Sequence, residues 1–190
     1  NGDAYFNAAE MGNADLTAGT LQLKGNFTAQ SQAYTAFRAT GSHLTRFIGS
    51  TPQSIYFYYP NTTQSTFANL ELAGNNTVAL GSNVYVAGTT NVTGTTSVAS
   101  GAALVVSGLL TAASGTDLSA LANLSVIGNG SVFPLVHGVG PANVYLSSGG
   151  TINAPAGTET LPTHLTVTGG SVLDIGANNL TIAGNLTYTT

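Results

Sequence analysis

The groups able to do acid–base, metal or anion chemistry are few: seven carboxylates, three histidines and three basic side chains in 190 residues. Cleavage of a polysaccharide needs two carboxylates facing one bond, one to protonate the leaving oxygen and one to attack or to activate water. Asp117, Glu159 and Asp174, three of the acids in the more regular part of the chain, lie at unequal offsets from the repeated motif described below. They are therefore not expected to share a face. His43, His137 and His164 stand alone in sequence, without the spacing of a metal-ligand set. Asp3, Glu10 and Asp15 carry oxygens that calcium could use, but without the spacing of a calcium loop. Lys24, the single lysine, could condense with an asparagine beside a carboxylate, although no motif fixes its partner. No catalytic residue, metal site or cofactor is assigned, and the expectation is a protein that is not an enzyme.

Two other residue sets bear on binding. Ser54-Ile-Tyr-Phe-Tyr-Tyr59 is a strong strand former between Pro52 and Pro60. Alternation puts Tyr56 and Tyr58 on one face and Ile55, Phe57 and Tyr59 on the other, the core side. Tyr56, Tyr58 and Tyr59 are the candidate contacts for a neighbouring subunit or a sugar ring. Eight Asn-X-Ser/Thr sequons also occur. Asn123 and Asn179 belong to the asparagine column proposed below, which leaves Asn26, Asn61, Asn75, Asn91, Asn129 and Asn185 as candidate glycan carriers.

The elements that would position these residues are legible in a repeated phrase: apolar, any, apolar, linker, glycine. It occurs from Leu21, Leu70, Val84, Leu104, Leu124, Leu165 and Leu180, with a near-match from Val144. The central starts, 84, 104, 124, 144 and 165, define a repeat of about 20 residues. Apolar-x-apolar is strand periodicity, and the glycine permits the bend that follows. A repeat of this length is that of a solenoid coil, which buries its apolar side against its neighbours. The position before each motif holds Asn69, Asn83, Ala103, Asn123, Asn143, His164 and Asn179. Stacked about 4.8 Å apart, the strand spacing, asparagines there would form a hydrogen-bonded ladder. Val92, Leu110, Val132, Ile152 and Val172 mark a second inward strand, and Val98, Leu118 and Val139 a looser third, giving a triangular cross-section.

Composition narrows the class further. A formal charge of −4 and no basic cluster argue against nucleic acid, whose binding rests on neutralising phosphates. No run of 18 apolar residues suggests membrane insertion, and no signal peptide is recognisable. The first residue, Asn1, reads as the start of a processed or excised segment. The absence of cysteine rules out disulfides, and few charges with many Thr, Ser and Asn point to a hydroxyl and amide surface of the kind found outside cells. Residues 1–69 hold all three basic residues and most of the aromatics, and are expected as wider coils or a hairpin packed on or continuous with the solenoid. Residues 70–190 are expected as regular coils.

The phrases Gly25-Asn-Phe-Thr28, Leu16-Thr-Ala-Gly-Thr-Leu21, Phe67-Ala-Asn-Leu70, Val84-Tyr-Val-Ala-Gly88 and Leu173-Asp-Ile-Gly-Ala-Asn-Asn-Leu-Thr181 resemble the repeats of large secreted bacterial β-solenoid proteins. The resemblance implies an all-β, right-handed parallel β-helix on a cell surface or in an extracellular fibre. Leu21 to Thr28 and Leu180 to Thr187 also match each other in pattern, and neither end carries a polar cap. The expected partner is therefore another copy, stacked head-to-tail into a filament. An adhesin binding surface glycans through the tyrosines is the second reading, and a polysaccharide-degrading enzyme the third.

Overall fold

The computed structural model describes residues 2–7, 15–30, 37–63, 65–113, 115–127, 131–132, 141–147, 149, 151–153, 158–161, 164–176 and 179–190. Val139, His137, Glu10 and Asn129 lie outside the described residues. Among those described, the regular elements are all strands, from Ala4–Phe6 to Leu186–Thr189, and every strand pairing is parallel. The chain is a parallel β-solenoid.

Pairing offsets give the coil length. Leu104, Leu124, Val144, Leu165 and Leu186 align in turn, so each later coil takes about 20 residues. Nearer the N-terminus, Ala4 aligns with Phe27, Phe27 with Ile55 and Ile55 with Leu80, and every one of these steps is longer. The aromatic-rich first third thus consists of wider coils and contains no hairpin among its described strands. It joins the rest without a break, since Phe47 aligns with Leu72 across residue 69.

Three columns of strands run along the molecule. The first holds Ala4–Phe6, Phe27–Ala29, Gln53–Phe57 and Thr77–Leu80. The second begins at Asp15–Leu16 and Arg38–Ala39, and passes through bridges at Thr66 and Phe67 to Val84–Val86. It continues through Leu121–Ile127, Asn143–Ser147 and His164–Thr168 to Leu186–Thr189. The third holds Thr20–Leu23, Leu44–Phe47, Asn69–Leu72, Thr90–Val92 and Leu110–Ala112. The long strand Ser97–Val106 turns a corner, pairing first with Thr77–Leu80 and then, after a register shift between Ser100 and Ala103, in the second column.

This topology sorts the repeated phrase. Its copies from Val84, Leu104, Leu124, Val144 and Leu165 occupy the second column, whereas those from Leu21 and Leu70 lie in the third. Leu180 pairs with Glu159 in a separate two-stranded sheet, and the residue that follows Leu165 in register is Leu186. A short strand followed by a glycine bend suits any corner of a triangle, so one phrase serves several. At two successive corners the glycines stack so closely that a Cβ on Gly108 would overlap the carbonyl of Gly88.

Alternation fills the interior. Val84, Leu104, Leu124, Val144 and Leu165 are all buried, as are Val86, Val106, Val126, Leu146 and Val167 two positions on. Val92, Leu110, Val98 and Leu118 are also buried, as their positions in the repeat predict. Val172 is a correction, being 49% exposed, with Leu173 packed against the core in its place. Ile152 aligns with Leu173, and a slip of one position in a period of two exchanges the faces. In the wide coils the filling is phenylalanine: Phe27, Phe37, Phe47, Phe57 and Phe67, evenly spaced in the sequence, are fully buried. The Phe27 ring lies 4.9 to 6.4 Å from those of Phe6, Phe37, Phe47, Phe57 and Phe67. Longer perimeters enclose more area, and aromatic rings fill it where valine and leucine would leave a void.

Candidate functional site

At each corner the backbone leaves the strand ladder, and its N–H and C=O groups need other partners. Side-chain amides supply many of them. Asn69 donates from Nδ2 to the His43 carbonyl at 3.1 Å and accepts at Oδ1 from the Thr89 N–H at 2.9 Å, spanning three coils. Asn83 accepts from the Ala103 N–H at 2.9 Å. Asn143 donates to the Ala122 carbonyl at 3.0 Å and to Asn123 Oδ1 at 3.3 Å. Of the five asparagines grouped by the sequence, Asn83, Asn123 and Asn143 lie along one column, with Ala103 between them and His164 beyond. Asn69 sits in the third column, and Asn179 is exposed on a separate strand facing Thr158. Their main role is side chain to backbone across coils, with one amide-to-amide link.

Three further clamps had no common register to reveal them. Asn26 Oδ1 accepts from the Ser54 N–H at 2.8 Å, and Asn75 Oδ1 from the Thr95 N–H at 3.0 Å. Asn75 takes a left-handed φ of 52°, which asparagine tolerates at a tight bend. Buried Gln53 accepts from the Gly49 N–H at 2.9 Å and donates to the Leu23 and Gly25 carbonyls.

Several sequons are therefore part of this framework. Asn26 and Asn91 are half-buried, with Asn91 Oδ1 bound by the Thr111 hydroxyl, and Asn61 Oδ1 accepts from the Thr63 N–H at 2.9 Å. Asn75 and Asn185 are exposed.

The tyrosines divide differently from the sequence pattern. Ile55 and Phe57 are buried, but the strand ends at Phe57, and Tyr59 is exposed together with Tyr56 and Tyr58. The turn before Pro60 breaks the alternation. Tyr58 and Tyr59 meet edge to face with ring centroids 4.5 Å apart. Tyr56 shares an outward column with Thr28 and the exposed Tyr5. The loop that follows borders a groove of about 440 Å³ lined by Arg38, Thr40, Thr62, Thr63, Thr66 and Gly88.

The acids are dispersed. Asp117 accepts from the Ser119 N–H at 2.8 Å, Asp174 from the Gly176 N–H at 2.8 Å and Asp3 from the Asn26 N–H at 2.7 Å, all backbone-fixing contacts. Asp117 bridges Ser97, Asp174 aligns with Asn153 and Glu159 with Leu180, three separate places. No group of three metal-ligating side chains occurs among the described residues. Lys24 and His164 are exposed, and His164 Nδ1 accepts from the Asn185 N–H at 3.0 Å. His43 is buried beside Phe37, their ring centroids 6.2 Å apart, and desolvation lowers its pKa below 6.5. Arg46 pairs with Glu71 at 2.9 Å, directly across adjacent strands.

Two positions in core register late in the chain are widely exposed. Leu186 aligns with Leu165 and Tyr188 with Val167, yet they are 58% and 69% exposed. Early in the chain Ala4, Phe6, Leu16 and Leu21 are partly buried against the core. No helix among the described residues is long and apolar enough to cross a membrane. No family model, curated protein or solved structure matches the chain.

Proposed function

We propose that the protein is a non-enzymatic structural subunit of an extracellular filament or cell-surface fibre, in which copies stack head-to-tail and pair strands across each junction. One observation carries this reading: the second column pairs strand on strand in parallel from Asp15–Leu16 to Leu186–Thr189, the stacking that pairing between copies would extend. An open strand edge is a template for another strand, and copies joined head-to-tail by one repeated operation generate a fibre. The dispersed carboxylates and the sparsely charged surface are in keeping with a scaffold. Dilution-series electron microscopy of the purified protein tests it. Thin fibres one solenoid wide are expected, and dispersed single rods at every concentration would overturn the reading.

The adhesin reading has its own support in exposed Tyr58 and Tyr59 and in the threonine-lined groove bordered by the loop that follows them. Saturable binding to sugars, lost when both tyrosines become alanine, would favour it.

A further inference from the structure

Along the first column two tyrosines stand in one register on the outside of the sheet. Tyr5 aligns with Thr28, and Thr28 with Tyr56. Their strand neighbours Phe27, Ala29, Ile55 and Phe57 point inward and are buried, whereas Tyr5 is 59% and Tyr56 36% exposed. The two rings are thus carried on strands two steps apart, about 10 Å at the ordinary strand spacing.

Each tyrosine leans on the coil that follows it. The Tyr5 hydroxyl donates to Gln30 Oε1 at 2.9 Å, which draws that side chain along the sheet. Tyr56 leans the same way toward Gly81, where a Cβ would come within 3.3 Å of its Cδ2. Glycine leaves the room that the ring uses. Thr28 lies half-buried between the two tyrosines, and Tyr5, Thr28, Tyr56 and Gly81 form an uncharged column.

A sugar binds an aromatic ring by laying its apolar C–H face on it, and a polymer does so repeatedly only when equivalent faces recur at the spacing of the rings. In an extended β-1,4-linked chain successive sugars are turned over, so the same face recurs every second sugar, a step of about 10 Å that equals two strand spacings. α-1,4-Linked chains curl and lose that step. We propose that the outer face of the first column binds a neutral β-1,4-linked polysaccharide laid along the solenoid axis, with alternate sugars on Tyr5 and Tyr56 and the intervening sugar over Thr28, whose hydroxyl bonds it. The absence of charge in the column selects a neutral polymer over an acidic one. This site is separate from Tyr58, Tyr59 and the threonine-lined groove, and it does not depend on whether copies form fibres.

Adsorption isotherms of the intact protein on microcrystalline cellulose and on chitin, with granular starch as the α-linked counterpart, test the site. Saturable binding to at least one of the β-1,4-linked polymers and none to starch is expected, and the polymer bound tells a glucan from its N-acetylated relative. Tyr5→Ala and Tyr56→Ala should each weaken binding about tenfold, and together about a hundredfold. Tyr56→Phe keeps the ring and should bind within about twofold of wild type. Both tyrosines are exposed, so circular dichroism of these variants should match wild type. Replacing Tyr58 and Tyr59 by alanine should leave this binding unchanged, which separates it from the adhesin reading. No saturable adsorption to either β-1,4-linked polymer, equal adsorption to starch, or full binding by the Tyr5→Ala, Tyr56→Ala double variant would overturn the site, whatever microscopy shows of fibres.

Discussion

Thr45 and Thr90 face inward in a column whose other members are Leu21, Leu70 and Leu110, and the hydroxyls of both are enclosed without a hydrogen-bond partner. Enclosing a hydroxyl in this way costs about 1–3 kcal/mol. Valine keeps the branched shape without the polar atom, so Thr45→Val and Thr90→Val should each stabilise the fold by about 1 kcal/mol. The denaturant midpoint would rise with an unchanged slope. A lower midpoint would mean that the hydroxyls are satisfied after all. His43 makes the opposite demand, because its folded pKa lies below 6.5 through desolvation. The unfolded chain then binds the proton first as pH falls, so His43's contribution to stability is intact above about pH 6.5 and declines as pH drops toward the folded value. Comparing denaturation at pH 7.5 and 5.0 for wild type and His43→Leu isolates it; an equal loss in both would refute the assignment. Standing alone in sequence, His43 carries no sign of its burial. The phrase His-Leu-Thr-Arg-Phe invites burial of Leu44, but the strand buries His43, Thr45 and Phe47 and leaves Leu44 half-exposed.

At the scale of elements, the short strands and their glycine bends were legible because period-two burial and tight corners leave direct marks in composition. Which column each strand joins was not, because the same phrase satisfies several corners. Leu180 and Leu186 show the difficulty: the first matches the full phrase and the second continues the register of Leu165. The asparagines illustrate a related limit. Their frequency reflects corners with unpaired backbone groups, but a shared offset from the motif does not make them neighbours, as Asn69 and Asn83 demonstrate. The even spacing of Phe27, Phe37, Phe47, Phe57 and Phe67 is plain in the sequence and corresponds to no single strand or coil period. It becomes intelligible only with the lengthened N-terminal coils, which bring five such rings into one cluster. Phe27 touches the most neighbours in that cluster, so Phe27→Ala should cost about 3–5 kcal/mol. Calorimetry would register it as a large fall in melting temperature; a change below about 1 kcal/mol would mean that the wide coils are supported by their corner amides instead.

Across the whole molecule, length, low charge and the short repeat pointed to a solenoid, and the structure is one. The widening toward the N-terminus was legible only as an excess of aromatics, since insertions between coils blur a repeat before they erase it. The place of Tyr188 was less legible still, because its inward register shows only when its alignment with Val167 is known. Parallel strands stacked coil on coil have a mechanical corollary. Their inter-strand hydrogen bonds lie nearly along the long axis, so a pull on the two ends loads them in tension, one coil after another, and does not shear a whole sheet at once. The rod would therefore yield as a ratchet, each ruptured coil releasing about 70 Å of slack chain while its neighbours stay folded.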